Sequence, residues 1–231
     1  MKRILTTTAA GMAQAGGVER SHSPYAILWE NGNYAELSFG HVAPDVSGSG
    51  LTPAGRRSSG DMIEDYNQFG LGVKYAISDR LDVAVGLDQP IGADIAYPAG
   101  TGYLLQGSTG TIDSTAITAL ARYKFDGGFS VHGGIKAERA KGAVALSTGY
   151  TMTTSTETDL GYLIGAAYEK PEIALRVALT YQSAITHDFD ATETAGTVYN
   201  TTFETEVPQS VTLDFQSGVA KDTLVFGSIR W

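Results

Sequence analysis

An apolar–polar alternation of period two, recurring from residue 33 to the end of the chain, limits what this sequence can become more than any other feature. Ala35, Leu37 and Phe39 alternate with Tyr34, Glu36 and Ser38, and Phe69, Leu71, Val73, Tyr75 and Ile77 alternate with Gln68, Gly70, Gly72 and Lys74. Leu81 to Asp88 and Ile117 to Phe125 repeat the pattern, as do Phe129 to Glu138, Leu160 to Tyr168, Ile173 to Gln182 and Val211 to Gln216. A ninth segment, Thr223 to Trp231, closes the series. Successive side chains of a strand point to opposite faces, whereas a helix returns its apolar residues at every third or fourth position. The chain is therefore expected to be all-β.

The connections add a direction. Ser78-Asp79-Arg80, Asp126-Gly127-Gly128, Lys170-Pro171-Glu172 and Ala220-Lys221-Asp222 are tight-turn sequences, and they alternate with long polar segments at 48–63, 93–112, 140–158 and 187–207. Short turns at one end and long loops at the other are the pattern of an outer-membrane barrel. The two strand faces agree. Glu36, Lys74, Asp82, Asp88, Arg122, Lys124, Lys136, Glu138, Arg176 and Asp214 share one side, suiting a hydrated or ion-paired lumen, while the other side is apolar throughout, as lipid requires. Tyr75, Tyr123, Phe125, Phe129, Tyr168 and Trp231 lie near strand ends and read as an interfacial girdle gathered at the turn side.

Composition excludes several classes. A net charge of −9 does not supply the cationic footprint of a nucleic-acid binder. The absence of cysteine rules out disulfides and thiolate metal sites. No apolar run is long enough for a spanning helix. His187-Asp188-Phe189-Asp190 lacks the spacing of a calcium loop and reads as solvated loop charge. His22, His41, His132 and His187 fall in separate elements with no nucleophile motif beside them, so neither enzymatic activity nor any cofactor is expected.

The N-terminus divides in two. Lys2 and Arg3, a weakly apolar Ile4–Met12 stretch and Ala13-Gln14-Ala15 read as a signal peptide over 1–15. Residues 16–32 are too irregular for a strand yet carry Tyr25, Ile27, Leu28 and Trp29, and are expected to form a hatch inside the barrel of 33–231. A barrel of about eight strands is filled by its own side chains, so such a plug calls for a wider one. Nine strands is also an odd count for a single-chain bacterial barrel, which predicts an incomplete wall. One segment breaks its own pattern: after the clean alternation of 81–88 come Gln89, Pro90, Ile91 and Gly92. Proline donates nothing to a ladder and glycine permits a sharp bend, so the wall should be interrupted there.

GNYAELSFGHVAPDVSG at 32–48, LDQPIGADIAY at 87–97 and VPQSVTLDFQSGVAKDTLVFGSIRW at 207–231 resemble the FadL-type outer-membrane transporters of long-chain fatty acids and other hydrophobic compounds. The resemblance implies a transmembrane, antiparallel up-and-down β-barrel of fourteen strands, about five of them beyond Trp231, with an N-terminal hatch. It implies passive, hatch-gated passage and lateral exit through a kinked third strand. Ile91 stands where the resemblance leads one to expect phenylalanine. Tyr25, Ile27 and Leu28 become hatch residues, and Gln89, Pro90, Ile91 and Gly92 the wall opening. Arg122, Lys124 and Lys136 become cations for a carboxylate head group. The implied partners are hydrophobic or fatty-acid small molecules, together with the lipid and lipopolysaccharide of a Gram-negative outer membrane, and the implied state is a monomer. A small closed barrel acting as an adhesin or anchor is the alternative.

Overall fold

The computed structural model describes residues 18–20 and 24–231. The signal-peptide expectation for 1–15, and positions 16, 17 and 21–23 of the hatch with His22 among them, lie outside the described residues. After a 3-10 helix at Pro24–Trp29 the strands are β1 (Tyr34–Val42), β2 (Ser47–Thr52), β3 (Gly55–Asp61), β4 (Tyr66–Ala76), β5 (Leu81–Asp88), β6 (Gly92–Ala96), β7 (Thr109–Lys124) and β8 (Phe129–Ala145). There follow β9 (Thr151–Thr154), β10 (Glu157–Lys170), β11 (Leu175–Gln182), β12 (Ile185–Thr194), β13 (Val198–Val207), β14 (Ser210–Ala220) and β15 (Thr223–Arg230). Nine of them form one antiparallel path, β1-β4-β5-β7-β8-β10-β11-β14-β15, and these are the nine segments of the alternation. Among the described residues β1 pairs only with β4 and β15 only with β14, so the sheet is a curled, open wall.

Register keeps the two faces separate across the wall. Leu37, Leu71, Leu87, Ile117, Ala137 and Leu160 are successive partners in one row. Leu37 is 71% exposed and Leu160 69%. A continuous exposed apolar face of this extent is untenable in water and is what acyl chains demand. A lumenal row nearer the turns runs Ala76, Asp82, Arg122, His132, Gly165, Thr180, Thr212 and Arg230. Most of that row is buried. Gly165 is needed there, because a Cβ would strike the His132 ring and the Leu179 carbonyl. Through that space His132 Nε2 reaches Thr180 Oγ1 at 2.9 Å.

The connections depart from the expectation of loops. β2 and β3 form their own hairpin, β6 continues along β7, and β8, β9, β12 and β13 pair in succession beyond the membrane band. Both faces of most of these extensions meet water, so no apolar alternation is required and threonine-rich ladders suffice. Their outer end is pinned by Glu193, which accepts from Tyr150 Oη at 2.7 Å and Thr201 Oγ1 at 2.5 Å. Those two bonds, Thr201 first, hold its carboxyl below the usual carboxylate range.

Trp231 also departs from expectation. It bonds Val211 at the long-connection end of the wall, opposite the turn-side girdle, because β15 starts at the turn and runs away from it. Tyr162 and Tyr181, with ring centroids 6.0 Å apart, lie toward that same end. Tyr75, Tyr123, Phe125 and Phe129 do occupy the turn side and are exposed.

Candidate functional site

The third spanning strand is β5 continued by β6, and it breaks where Pro90 stands. Asp88 pairs with Ala116 and Gly92 with Asp113, so residues 89–91 oppose only 114 and 115. This is a bulge, and proline sits where no ladder donor is required. Ser114 Oγ accepts from Ile91 N at 2.8 Å and donates to Ile91 O at 2.7 Å, anchoring the bulge. On the other side β4 follows β5 up to the pair Leu71–Leu87. Contact resumes only at Ile63–Ile95. In between, Gln89 Oε1 accepts from Phe69 N at 2.9 Å.

The gap is occupied by Val18, Glu19 and Arg20, lying antiparallel to the bulge. Gly92 N donates to Val18 O and Arg20 N to Pro90 O, both at 2.8 Å, and Glu19 bridges Ile91. Gln68 Nε2 donates to Arg20 O at 2.6 Å from the β4 side. The Arg20 guanidinium bonds Asp94 at 2.9 Å and lies over the Tyr66 ring, 3.9 Å from its centroid. A Cβ on Gly92 would collide with that guanidinium, so glycine is what lets the arginine cover the opening.

Beside this stitch lies a cavity of about 360 Å³, of ligand size. Ile91, Ile112, Val144, Met152, Phe189 and Phe203 make its apolar walls, and Glu138 and His187 are its deeply buried polar groups. His187 thus corrects the reading of 187–190 as solvated loop charge: it is 2% exposed and only Asp188 and Asp190 turn outward. The cavity walls lie largely in strands that the sequence reading left as loops. A signal was present, since Ile185, His187, Phe189 and Ala191 keep period two once histidine is allowed on the inner face.

The hatch residues come together as one cluster. Tyr25, Ile27 and Leu28 are at most 4% exposed and pack on Ala84, Leu120 and Leu163 of the lumenal face. Gly72 makes room for Ile27, whose Cδ1 would stand 2.6 Å from a Cβ there. Tyr25 Oη bonds Asp214 at 3.1 Å. Arg122 donates to Leu28 O at 3.2 Å, while Lys74 Nζ donates to the carbonyls of Glu30 and Gly32, each at 2.9 Å. Arg122 thereby satisfies a carbonyl of the last helical turn, and Lys74 ties down the chain just beyond it. The Arg122 guanidinium also stacks over Trp29, 4.3 Å from the ring.

The three candidate cations are dispersed, and each has an acid. Arg122 pairs with Glu169, Lys124 with Asp82 at 3.1 Å, and Lys136 with Glu138 at 2.6 Å. Arg122 and Lys124 border the turn-side mouth with Lys74 and Asp82. Lys136 lies below the apolar cavity.

Residues 4–207 match the outer membrane protein beta-barrel domain family. No curated protein sequence matches the chain. Among solved structures, a FadL homologue of Pseudomonas aeruginosa superposes with a TM-score of 0.62 at 13% identity, covering 86% of this chain and 58% of that one. The ΔS2S3 mutant of the TodX monoaromatic hydrocarbon channel gives 0.58 at 12% identity, covering 90% and 63%. OprG of Pseudomonas aeruginosa is 18% identical with a TM-score of 0.42, covering 87% and 96%. The chain spans about three fifths of the first two structures, which share its fold. With two thirds of its length or more under the family match, and a lipid-facing wall as the match requires, this chain belongs to the outer membrane β-barrel domain family of Gram-negative bacteria.

Proposed function

We propose that the chain forms the wall and hatch of an outer-membrane channel for hydrophobic small molecules. A ligand enters from the long-connection side, rests in the cavity walled by Ile91, Phe189 and Phe203, and leaves sideways into the membrane between β4 and the kinked strand. Val18–Arg20 is the gate, and the hatch helix Pro24–Trp29 blocks the axial route. The observation that carries this reading is the adjacency of an apolar cavity to a wall interruption that, among the described residues, a short N-terminal segment closes. On the outside of β8, exposed Arg139 and Lys141 stand just beyond the apolar band, at the height of lipopolysaccharide head groups. The chain works as a monomer, and no chemistry is required of it.

A reversible lock tests the gate. Glu19 and Ile91 face each other in an antiparallel bridge, a separation that a disulfide spans, and the chain has no cysteine of its own. In cells whose uptake of a labelled hydrophobic compound depends on the full protein, Glu19→Cys with Ile91→Cys should transport when reduced and stall when oxidised. Equal uptake in both states would refute the gate.

A further inference from the structure

The reading of the cavity as a ligand chamber leaves open which head group it selects, and its floor narrows the choice. Glu138 is fully buried, and its Oε1 has no hydrogen-bond partner among the described residues. His187 Nε2 is likewise buried and unpartnered, 3.6 Å from that oxygen and so beyond hydrogen-bond reach. The other ring nitrogen, Nδ1, lies 2.8 Å from Asp159 Oδ2. A carboxylate only accepts, so Nδ1 donates to Asp159 and is committed there. A buried carboxylate oxygen therefore stands at the floor of an apolar chamber with no hydrogen-bond donor on it among the described residues. Leaving such a group dry and unbonded is costly, so the chamber is built for something that brings a donor.

The walls say what the rest of that molecule is. The His187 and Phe189 rings stack with centroids 5.7 Å apart, and Phe189 and Phe203 follow at 5.5 Å, making an aromatic row along one side. A planar ring fits against such a row in offset or tilted contact. We propose that this cavity takes neutral aromatic alcohols of the phenol class, the ring against Phe189 and Phe203 and the hydroxyl donating to Glu138 Oε1.

The same floor disfavours the rival head groups. A carboxylate brings acceptors alone to a site that already holds Glu138 and Asp159. The cations nearby are engaged elsewhere, Arg230 by Glu19, and Lys141 on the outer face by Asp113 at 3.6 Å. An ammonium meets Lys136 Nζ, which already stands 2.6 Å from Glu138 Oε2. A plain hydrocarbon leaves Oε1 unbonded.

Calorimetric titration of the full protein in lipid nanodiscs, with empty nanodiscs subtracted, decides among p-cresol, toluene, 4-methylbenzylamine and 4-methylbenzoate. p-Cresol should bind on the order of tenfold tighter than each of the others, the worth of one charge-assisted hydrogen bond. Glu138→Gln should reduce its advantage over toluene to less than about twofold, since the acceptor is no longer ionised. Should that variant fail to fold, the four wild-type titrations still decide. If toluene, the amine or the benzoate matches or exceeds p-cresol, the head-group assignment is wrong while the chamber stands. If none of the four binds, the chamber reading itself fails.

Discussion

Arg20→Ala should loosen the lateral gate without loosening the wall. The substitution keeps both main-chain bonds that align Val18–Arg20 with the bulge and removes two side-chain contacts, the 2.9 Å bond to Asp94 and the stacking on Tyr66. Arg20 is 7% exposed in its side chain but Asp94 is 32%, so their ion pair is partly screened. It is worth about 1–2 kcal/mol rather than the value for a sealed pair. The cation–π contact adds about 0.5–2 kcal/mol. Together they correspond to a roughly ten- to several-hundred-fold rise in the population with the gate segment released. The amide of Gly92, which donates to Val18 O, reports that release directly. In nanodiscs its hydrogen exchange should speed up by the same factor while amides of β7 and β8 keep their protection, since local opening sets the rate. Unchanged exchange at Gly92 would show that the guanidinium does not hold the gate.

Gly92→Ala supplies the internal control, because its methyl would take the volume the guanidinium occupies. Expelling the same group by two routes cannot be counted twice. The double variant should therefore open no further than Arg20→Ala alone, and free energies that add within about 0.5 kcal/mol would refute the shared contact.

Leu28→Ala, at a fully buried hatch position against the lumenal wall, should cost about 2–5 kcal/mol of hatch docking. Exchange should rise across residues 24–32 while the strands stay protected. The outer extension should depend on acid. Because the Glu193 carboxyl is depressed in the folded state, its contribution is fully present above the ordinary carboxylate range and disappears as pH falls through the lowered value. Protease cleavage of the β12–β13 hairpin should therefore increase only below about pH 4, and Glu193→Gln should abolish that dependence.

How much of this was legible depends on which solvents a segment meets. The nine spanning strands show in the sequence because lipid on one side and a packed lumen on the other impose opposite chemistry on alternate residues, as with Leu71 and Lys74 on β4. Where water bathes both faces that constraint lapses, and β2, β3, β9 and β13 read as loops. β12 is intermediate: its inner face is buried, but with His187 among the inward residues its period looked broken. Tyr25, Ile27 and Leu28 announced a buried segment, though not its helical form, through their apolar character alone. The cations they meet could not be matched to their acids, because pairs such as Arg122 with Glu169 join strands far apart in sequence. The aromatic of β15 was assigned to the wrong end because a ring near a strand terminus signals an interface without saying which one.

The bulge at 89–91 and the segment that covers it are best understood as one device. A gap in a lipid-facing wall exposes main-chain donors and acceptors, each costing several kcal/mol if left unbonded in hydrocarbon. Here Gly92 N, Pro90 O and the Gln68 side chain are all satisfied by Val18 and Arg20. The closed gate therefore completes the wall rather than merely covering it. Opening must exchange those bonds for others, from water in the lumen or from a passing ligand. A hydrocarbon can supply none, which makes a hydrated lumenal side a requirement of the proposed lateral route. The polar row that includes Asp82, Arg122 and Arg230 lies on that side, which gives the proposed route for apolar molecules a polar lining.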